Sequence, residues 1–382
     1  MRWWRDERFV NFFIQAVFLA AVAGVLTYFC SNMLRGLRET GLTPNFRFLT
    51  SEAGFGISEG IRYDPSDSYG RALWVGVVNS ARVSLLGILF ATAIGLVVGL
   101  ARISSNWLVR TIARAYVEIF RNIPLLLQLL FWYVAVFLRL PPVRQAVELF
   151  DGVYLSQRGL YLPRPVPAEG FGAFAGTLGV GLAAAVAVYA YRRRRLQTAD
   201  RPGFPCAWAL PVFAAFAVGG WLFAPTPPFA LDLPVLQRFN FAGGMRLSPE
   251  FAALLLGLSV YTGAFIAEVV RGGIQSVDKG QREAALALGL RPAAVMYLVV
   301  LPQALRVIVP PLTSQYLNLV KNSSLAIAVG YPDLFNIGTT AMNQTGQTLP
   351  LFLIIIAAYL ALSLITSAFM NWYNRRVRLV ER

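Results

Sequence analysis

Histidine is missing from all 382 positions, and cysteine occurs only at Cys30 and Cys206. With no histidine, and with the two cysteines in segments read below as lying on opposite sides of a membrane, neither a Cys/His metal site nor a structural disulfide is expected. No cofactor is encoded. The phosphate-cradling pattern GxxxxGK[ST] is missing too, so if ATP drives this protein another subunit must bind it. Nor does any nucleophile stand at a telling spacing from a base, which argues against a membrane-embedded enzyme. Charge is also scarce, at 14% of residues against 57% hydrophobic. A chain that apolar is an integral membrane protein with repeated spans. Its net charge of +15 does not point to nucleic acid, because the arginines sit in short clusters against apolar runs and not along one soluble face.

Taken in order, an arginine-rich start precedes an apolar run at 10–34. Ala21-Val22-Ala23 mimics a cleavage site, but the run continues past it and reads as a retained anchor. Residues 36–71 are polar with balanced charge, suiting an external loop. Further spans are expected at 74–100, up to about 138, at 171–191, 207–224, 254–270, from about 307 to 329, and at 349–372. Arg102, Arg110 and Arg114, the run Arg192 to Arg195, and Arg375, Arg376 and Arg378 all border span ends that one orientation turns inside. The expectation is an all-α integral membrane protein with about eight transmembrane helices and both termini cytoplasmic. The loops at 139–170 and 225–249 are expected outside.

Two polar features interrupt this pattern. Glu118, Arg121 and Asn122 fall three and four positions apart, on one helix face, beside Pro124. Between two spans, residues 281–302 read QREAALALGLRPAAVMYLVVLP. Asp278 and Gln281 suggest a capping box opening a helix, Gly289 its end, and Pro292 the first position of the next helix. Ala284, Ala285 and Gly289 would make a small face for close approach of another protein, with Arg282 and Glu283 beside it.

This stretch resembles the EAA loop of binding-protein-dependent ABC importer permeases, departing only at Val299, where the family more often has Ile. Residues 118–126 (EIFRNIPLL), 268–274 (EVVRGGI) and 321–325 (KNSSL) resemble signature segments of the polar amino acid (HisMQ-type) subfamily. The resemblance implies a type I importer transmembrane core, here with an inserted helix pair. It also implies a permease role without enzymatic activity, in the inner membrane of a bacterium. The implied partners are a second permease subunit in a heterodimer, an ABC ATPase dimer, a periplasmic or external solute-binding protein and an L-amino acid substrate, with membrane lipid around them.

The coupling residues would be Arg282, Glu283, Ala284, Ala285, Gly289, Pro292 and Pro302. Relative to short family members the chain carries an insertion, which looks like the larger permease of broad-range L-amino acid importers of the Aap/Bzt kind. Its parts divide as 1–72 (first span and external loop), 73–140 (first part of the core), 141–249 (insertion with two spans) and 250–382 (second part, with the EAA loop at 278–302).

A secondary transporter or channel subunit is the competing reading, since such folds put ionisable groups at the midplane. Against it, neither the EAA loop nor the Glu118 segment has a second copy. Charges within spans cost about 2.5–3.5 kcal/mol each at a helix centre. Glu118, Arg121, Glu268, Arg271 and Lys321 therefore either brace helices near span ends or line a wet pathway or gate with Asn122, Gln128, Asn318 and Asn322. Both roles stay open on the sequence.

Overall fold

The computed structural model describes residues 7–39, 45–198, 206–238 and 240–377, which fall into two units, 1–133 with 253–382 and 134–252. The membrane part is helical, as expected. Helix α1 (Glu7–Glu39) presents an apolar surface around its whole circumference. Residues 45–68, with a 3₁₀ turn at Arg47–Thr50, lead to the start of α2 (Tyr69–Arg102), capped by Ser68, whose hydroxyl accepts from Arg71 N–H. The loop is pinned where Asn79 Nδ2 donates to the Glu59 carbonyl at 2.9 Å and Arg82 pairs with Glu59 at 3.1 Å.

The third span is not one rod. Helix α3 (Trp107–Asn122) opens on Asn106, which accepts from Leu108 and Val109 N–H, and breaks at Ile123-Pro124. It resumes as α4 (Leu125–Leu130) and continues through a π turn, Phe131–Val136, at a bend of 105°. Pro124 cannot donate a backbone hydrogen bond, so the turn before it has no ladder to continue.

In the second unit, residues expected as plain loops pair into short antiparallel strands. These are β1 (Val147–Phe150), β2 (Val153–Ser156), β3 (Gly159–Leu162) and β4 (Arg164–Pro167). Two helices follow, α5 (Phe171–Thr198) and α6 (Cys206–Leu222), the latter with Pro211 inside it. The chain then forms β5 (Phe229–Asp232), β6 (Val235–Leu236), β7 (Phe241–Ala242) and β8 (Met245–Leu247). The sheet order β1-β2-β3-β8 brings Leu160 opposite Leu247. Tyr161 and Phe241 fill its small core, ring centroids 4.6 Å apart, and the Tyr161 hydroxyl bonds Asn240 Oδ1.

Helix α7 (Pro249–Gln275) leads to α8 (Lys279–Ala287), α9 (Pro292–Val295), a π turn at Met296–Val300 and α10 (Leu301–Asn322). The candidate seventh span runs Pro292–Val329, so the continuous helical stretch begins earlier than the expected 307. A 3₁₀ stretch, Ser323–Val329, precedes α11 (Leu334–Thr345) and the last span, α12 (Thr348–Val377).

Among the described residues six helices are long and apolar enough to cross a membrane, seven crossings if α3 and α4 count as one, and α6 is a shorter apolar helix. Cys30 is exposed on α1, while the Cys206 side chain lies outside the described residues.

The core of the first unit shows how spans approach without a hydrophobic gain from leaving lipid. Gly87, Ala91, Gly95 and Gly99 recur every fourth residue along one face of α2. A Cβ on Gly95 would lie 3.1 Å from the Gly263 carbonyl, and one on Gly99 2.9 Å from the Ala267 carbonyl. Small residues at this spacing let backbones meet, which is what packing in a bilayer rewards.

Candidate coupling loop and pathway charges

The loop after α7 is built by caps at both ends of α8. Asp278 Oδ1 accepts from Gly280 N–H at 2.6 Å, while the bonds that close the far end belong to the backbone. Gly289 takes φ +80°, its N–H bonds the Leu286 carbonyl at 2.9 Å, and Leu290 N–H bonds the Ala285 carbonyl at 3.2 Å. That pair of bonds is the Schellman arrangement, with Leu290 packed into the core cluster that also holds Ala285. A Cβ at Gly289 would meet nothing, so the requirement is the left-handed backbone and not space. Pro292 occupies the first helical position of α9, with Arg291 as its extended cap. Pro302 stands second in α10, directly after the π turn.

Around these caps the predicted residues separate into two groups. Ala285 is only 5% exposed and packs inward, so it does not contribute to a small outer face. Arg282 also turns back, its Nη2 donating to the Ile274 carbonyl at 2.8 Å and thereby capping the end of α7. Glu283, Ala284 and Gly289 remain on the outside. Leu286 and Leu288, which sequence reasoning passed over, are 48% and 83% exposed. In the sequence they read only as helix formers, because nothing local tells an outward leucine from an inward one.

The charged candidates are similarly divided. Glu268 is held between two arginines, Arg102 from the end of α2 and Arg271 one turn on, and Arg271 also reaches Gln275. Arg102 was absent from the predicted set, yet it is the second cation on Glu268 and leaves the trio with a net positive charge. Arg121 is exposed, with its guanidinium 5.0 Å from the ring centroid of Phe265, one turn before Glu268, and its charge also acts on Glu268 without pairing with it. Glu118 is exposed on the same last turn of α3, and Asn122 Nδ2 donates to its carbonyl at 2.7 Å.

Gln128 is 4% exposed, and its amide donates to the Phe120 and Ile123 carbonyls, both at 2.9 Å. It fastens the break in the span, with the end of α3 as its partner. Asn318 and Lys321 are exposed along α10, and Asn322 is half-buried.

One polar cluster escaped the sequence reading altogether. Asp333, 1% exposed, caps α11 by accepting from Asn336 N–H and receives the Tyr359 hydroxyl at 2.7 Å. Beside it, Ser80 Oγ accepts from Leu334 N–H and Asn79 Nδ2 donates to the Pro332 carbonyl at 2.8 Å. The residues come from three stretches far apart in sequence, so no local pattern announces them.

Long apolar helices, a span broken beside charged residues and a capped helix–turn–helix with an outward apolar tip define a multi-pass membrane transport subunit. The chain belongs to the binding-protein-dependent transport system inner membrane component family, whose model matches residues 177–379. It is 47% identical to the protein YhdX of Escherichia coli (strain K12), over 96% of this chain and 94% of that one. It is 43% identical to the general L-amino acid transport system permease protein AapQ of Rhizobium johnstonii, over 99% and 94% of the two chains. It is 40% identical to the glutamate/glutamine/aspartate/asparagine transport system permease protein BztB of Rhodobacter capsulatus, over 99% and 96%. The chain is a permease of the inner membrane and not itself a catalyst, and family membership sets aside the secondary transporter.

Proposed function

We propose that this chain forms half of the translocation pathway of an ATP-driven importer for L-amino acids. Its partners are a second permease subunit, a pair of ATPases and an external solute-binding protein. The substrate class rests on AapQ and BztB, whose names specify L-amino acids and which align over nearly the whole chain. The four-part division at 72, 140 and 249 and cytoplasmic termini belong to the same proposal.

The observation that carries the coupling role is the capped α8 with its tip outside. Arg282 and Ala285 hold the helix against the permease, while Glu283, Ala284, Leu286, Leu288 and Gly289 form the surface offered to an ATPase. Pro292 and Pro302 direct the chain from that surface into α10. In the pathway, Glu118, Arg121 and Asn122 are the candidates that remain accessible, with Asn318, Lys321 and Asn322 on α10. An amino acid carries both an ammonium and a carboxylate, so a route for it gains from both signs of charge. Glu268 and Arg271 are better explained as braces, since they pair with each other and with Arg102 and Gln275, and the Gln128 amide nitrogen, donating to the Phe120 and Ile123 carbonyls, braces the break in the span.

The test is Gly289→Val in the assembled transporter. A β-branched residue resists positive φ, so the variant should reach the membrane in normal amount, release the ATPase and lose uptake. Normal transport by a well-expressed variant would refute the coupling role.

A further inference from the structure

Neither the coupling loop nor the pathway uses the four arginines that close α5. Along that helix Leu182, Val186, Tyr189 and Arg193 follow one another at steps of four, three and four residues, and so share one face. The first three line an apolar groove of about 360 Å³ whose other wall is Ala209, Leu210 and Phe213 of α6. At the groove's end the Arg192 guanidinium crosses between the helices and lies 4.3 Å from the Trp208 ring centroid. Arg193, Arg194 and Arg195 are exposed beyond it.

The dimensions select an occupant. From Leu182 to Arg193 the helix rises roughly 16 Å, about half of the ~30 Å hydrocarbon core, which is the depth of one leaflet. The lining is apolar except for the Tyr189 hydroxyl, so it suits an alkyl chain better than a peptide backbone, whose donors and acceptors would go unmet. Guanidinium groups at the open end match a phosphodiester, which they can grip through two parallel hydrogen bonds. A cationic headgroup would be repelled there.

We infer that the α5–α6 hairpin holds an anionic phospholipid of the arginine-side leaflet, its acyl chain in the groove and its phosphate at Arg192 and Arg193. The site requires α5 and α6 to lie in the bilayer and does not depend on what the protein transports. It gives residues 141–249 a specific role, as a lipid-anchored flank.

The test uses the whole transporter in nanodiscs of phosphatidylcholine containing phosphatidylglycerol, with retained lipid counted by native mass spectrometry. The wild type should keep phosphatidylglycerol in preference to phosphatidylcholine. Arg192→Gln/Arg193→Gln should weaken that retention roughly thirty-fold, equivalent to about 1 kcal/mol for each arginine near an anionic surface. Ala209→Trp, which fills the groove, should lower retention with the arginines intact. Arg375→Gln/Arg376→Gln, two arginines at another span end, should leave it unchanged. Equal retention by the wild type and the Arg192/Arg193 variant would overturn the inference, as would equal retention of the two lipids by the wild type. Displacement of the bound lipid by inorganic phosphate alone would overturn it too, because the groove would then contribute nothing.

Discussion

Asp333 shows what one buried carboxylate does to this fold. It holds the first turn of α11 through Asn336 N–H and the last span through the Tyr359 hydroxyl, and burial pushes its carboxyl up to about 6. Because the folded chain holds this proton more tightly than the unfolded one, acidification from about pH 7 to about pH 5 adds stability through this group. The gain is complete below the ordinary carboxylate pKa and is lost as pH rises through the raised one. Asp333→Asn, which can still cap, should flatten that dependence in thermal unfolding of the purified complex. Asp333→Ala should lower stability at all pH values, by about 1 kcal/mol for the cap and about 1–3 kcal/mol for a buried hydroxyl left without its acceptor. An unchanged pH profile in Asp333→Asn would mean that another group carries it.

The same scale separates what could be read in the chain from what could not. Gly289 and Pro292 were legible because caps are local: the residue that takes the left-handed turn is itself the signal. The inward turn of Arg282 and Ala285 was not, since it depends on where α7 ends in space. Arg102 was missed as the partner of Glu268 for a similar reason, 166 residues separating the two.

Among the elements, α2 carries the most consequential packing. With Gly95 against Ile266 and the Gly263 carbonyl, and Gly99 against Val270 and the Ala267 carbonyl, a larger side chain cannot be absorbed by a rotamer change alone, because the obstacles include the Cβ atoms of Ile266 and Val270 and backbone oxygens of α7. Gly95→Leu should separate the two helices and cut the membrane level of the protein severalfold, an overpacking cost of about 1–3 kcal/mol or more. Gly24→Leu on α1, where an added Cβ meets nothing, is the control that should leave the level unchanged. Equal levels of the two variants would deny the close approach. The helices were visible in the sequence as long apolar runs, whereas the strands around Tyr161 and Phe241 were not. Segments of two to four residues, one of them containing two prolines, carry no period to read.

For the whole molecule, orientation follows from where the arginines lie. Arginines at the ends of α2, α5 and α12 agree on one orientation under the positive-inside rule. Reporter fusions after Tyr191 and after Ala224 should give cytoplasmic and external signals respectively. The reverse result would turn α8 away from the ATPases and remove the coupling proposal with it.

The π turn at Met296–Val300 has a geometric consequence for how such a chain can change. Each residue added to a helix rotates everything beyond it by about 100°, and a turn one residue wider than the α-helix introduces that rotation between α9 and α10. By residue count the azimuth of α10 is therefore out of phase with that of α9. Loss of a single residue from the wide turn would close it to an ordinary α turn and leave Asn318 and Lys321, some 30 Å beyond, facing as they do now, because the wide turn already absorbs that residue. A residue lost from the regular helix on either side, with the wide turn kept, would instead rotate one end against the other by about 100°.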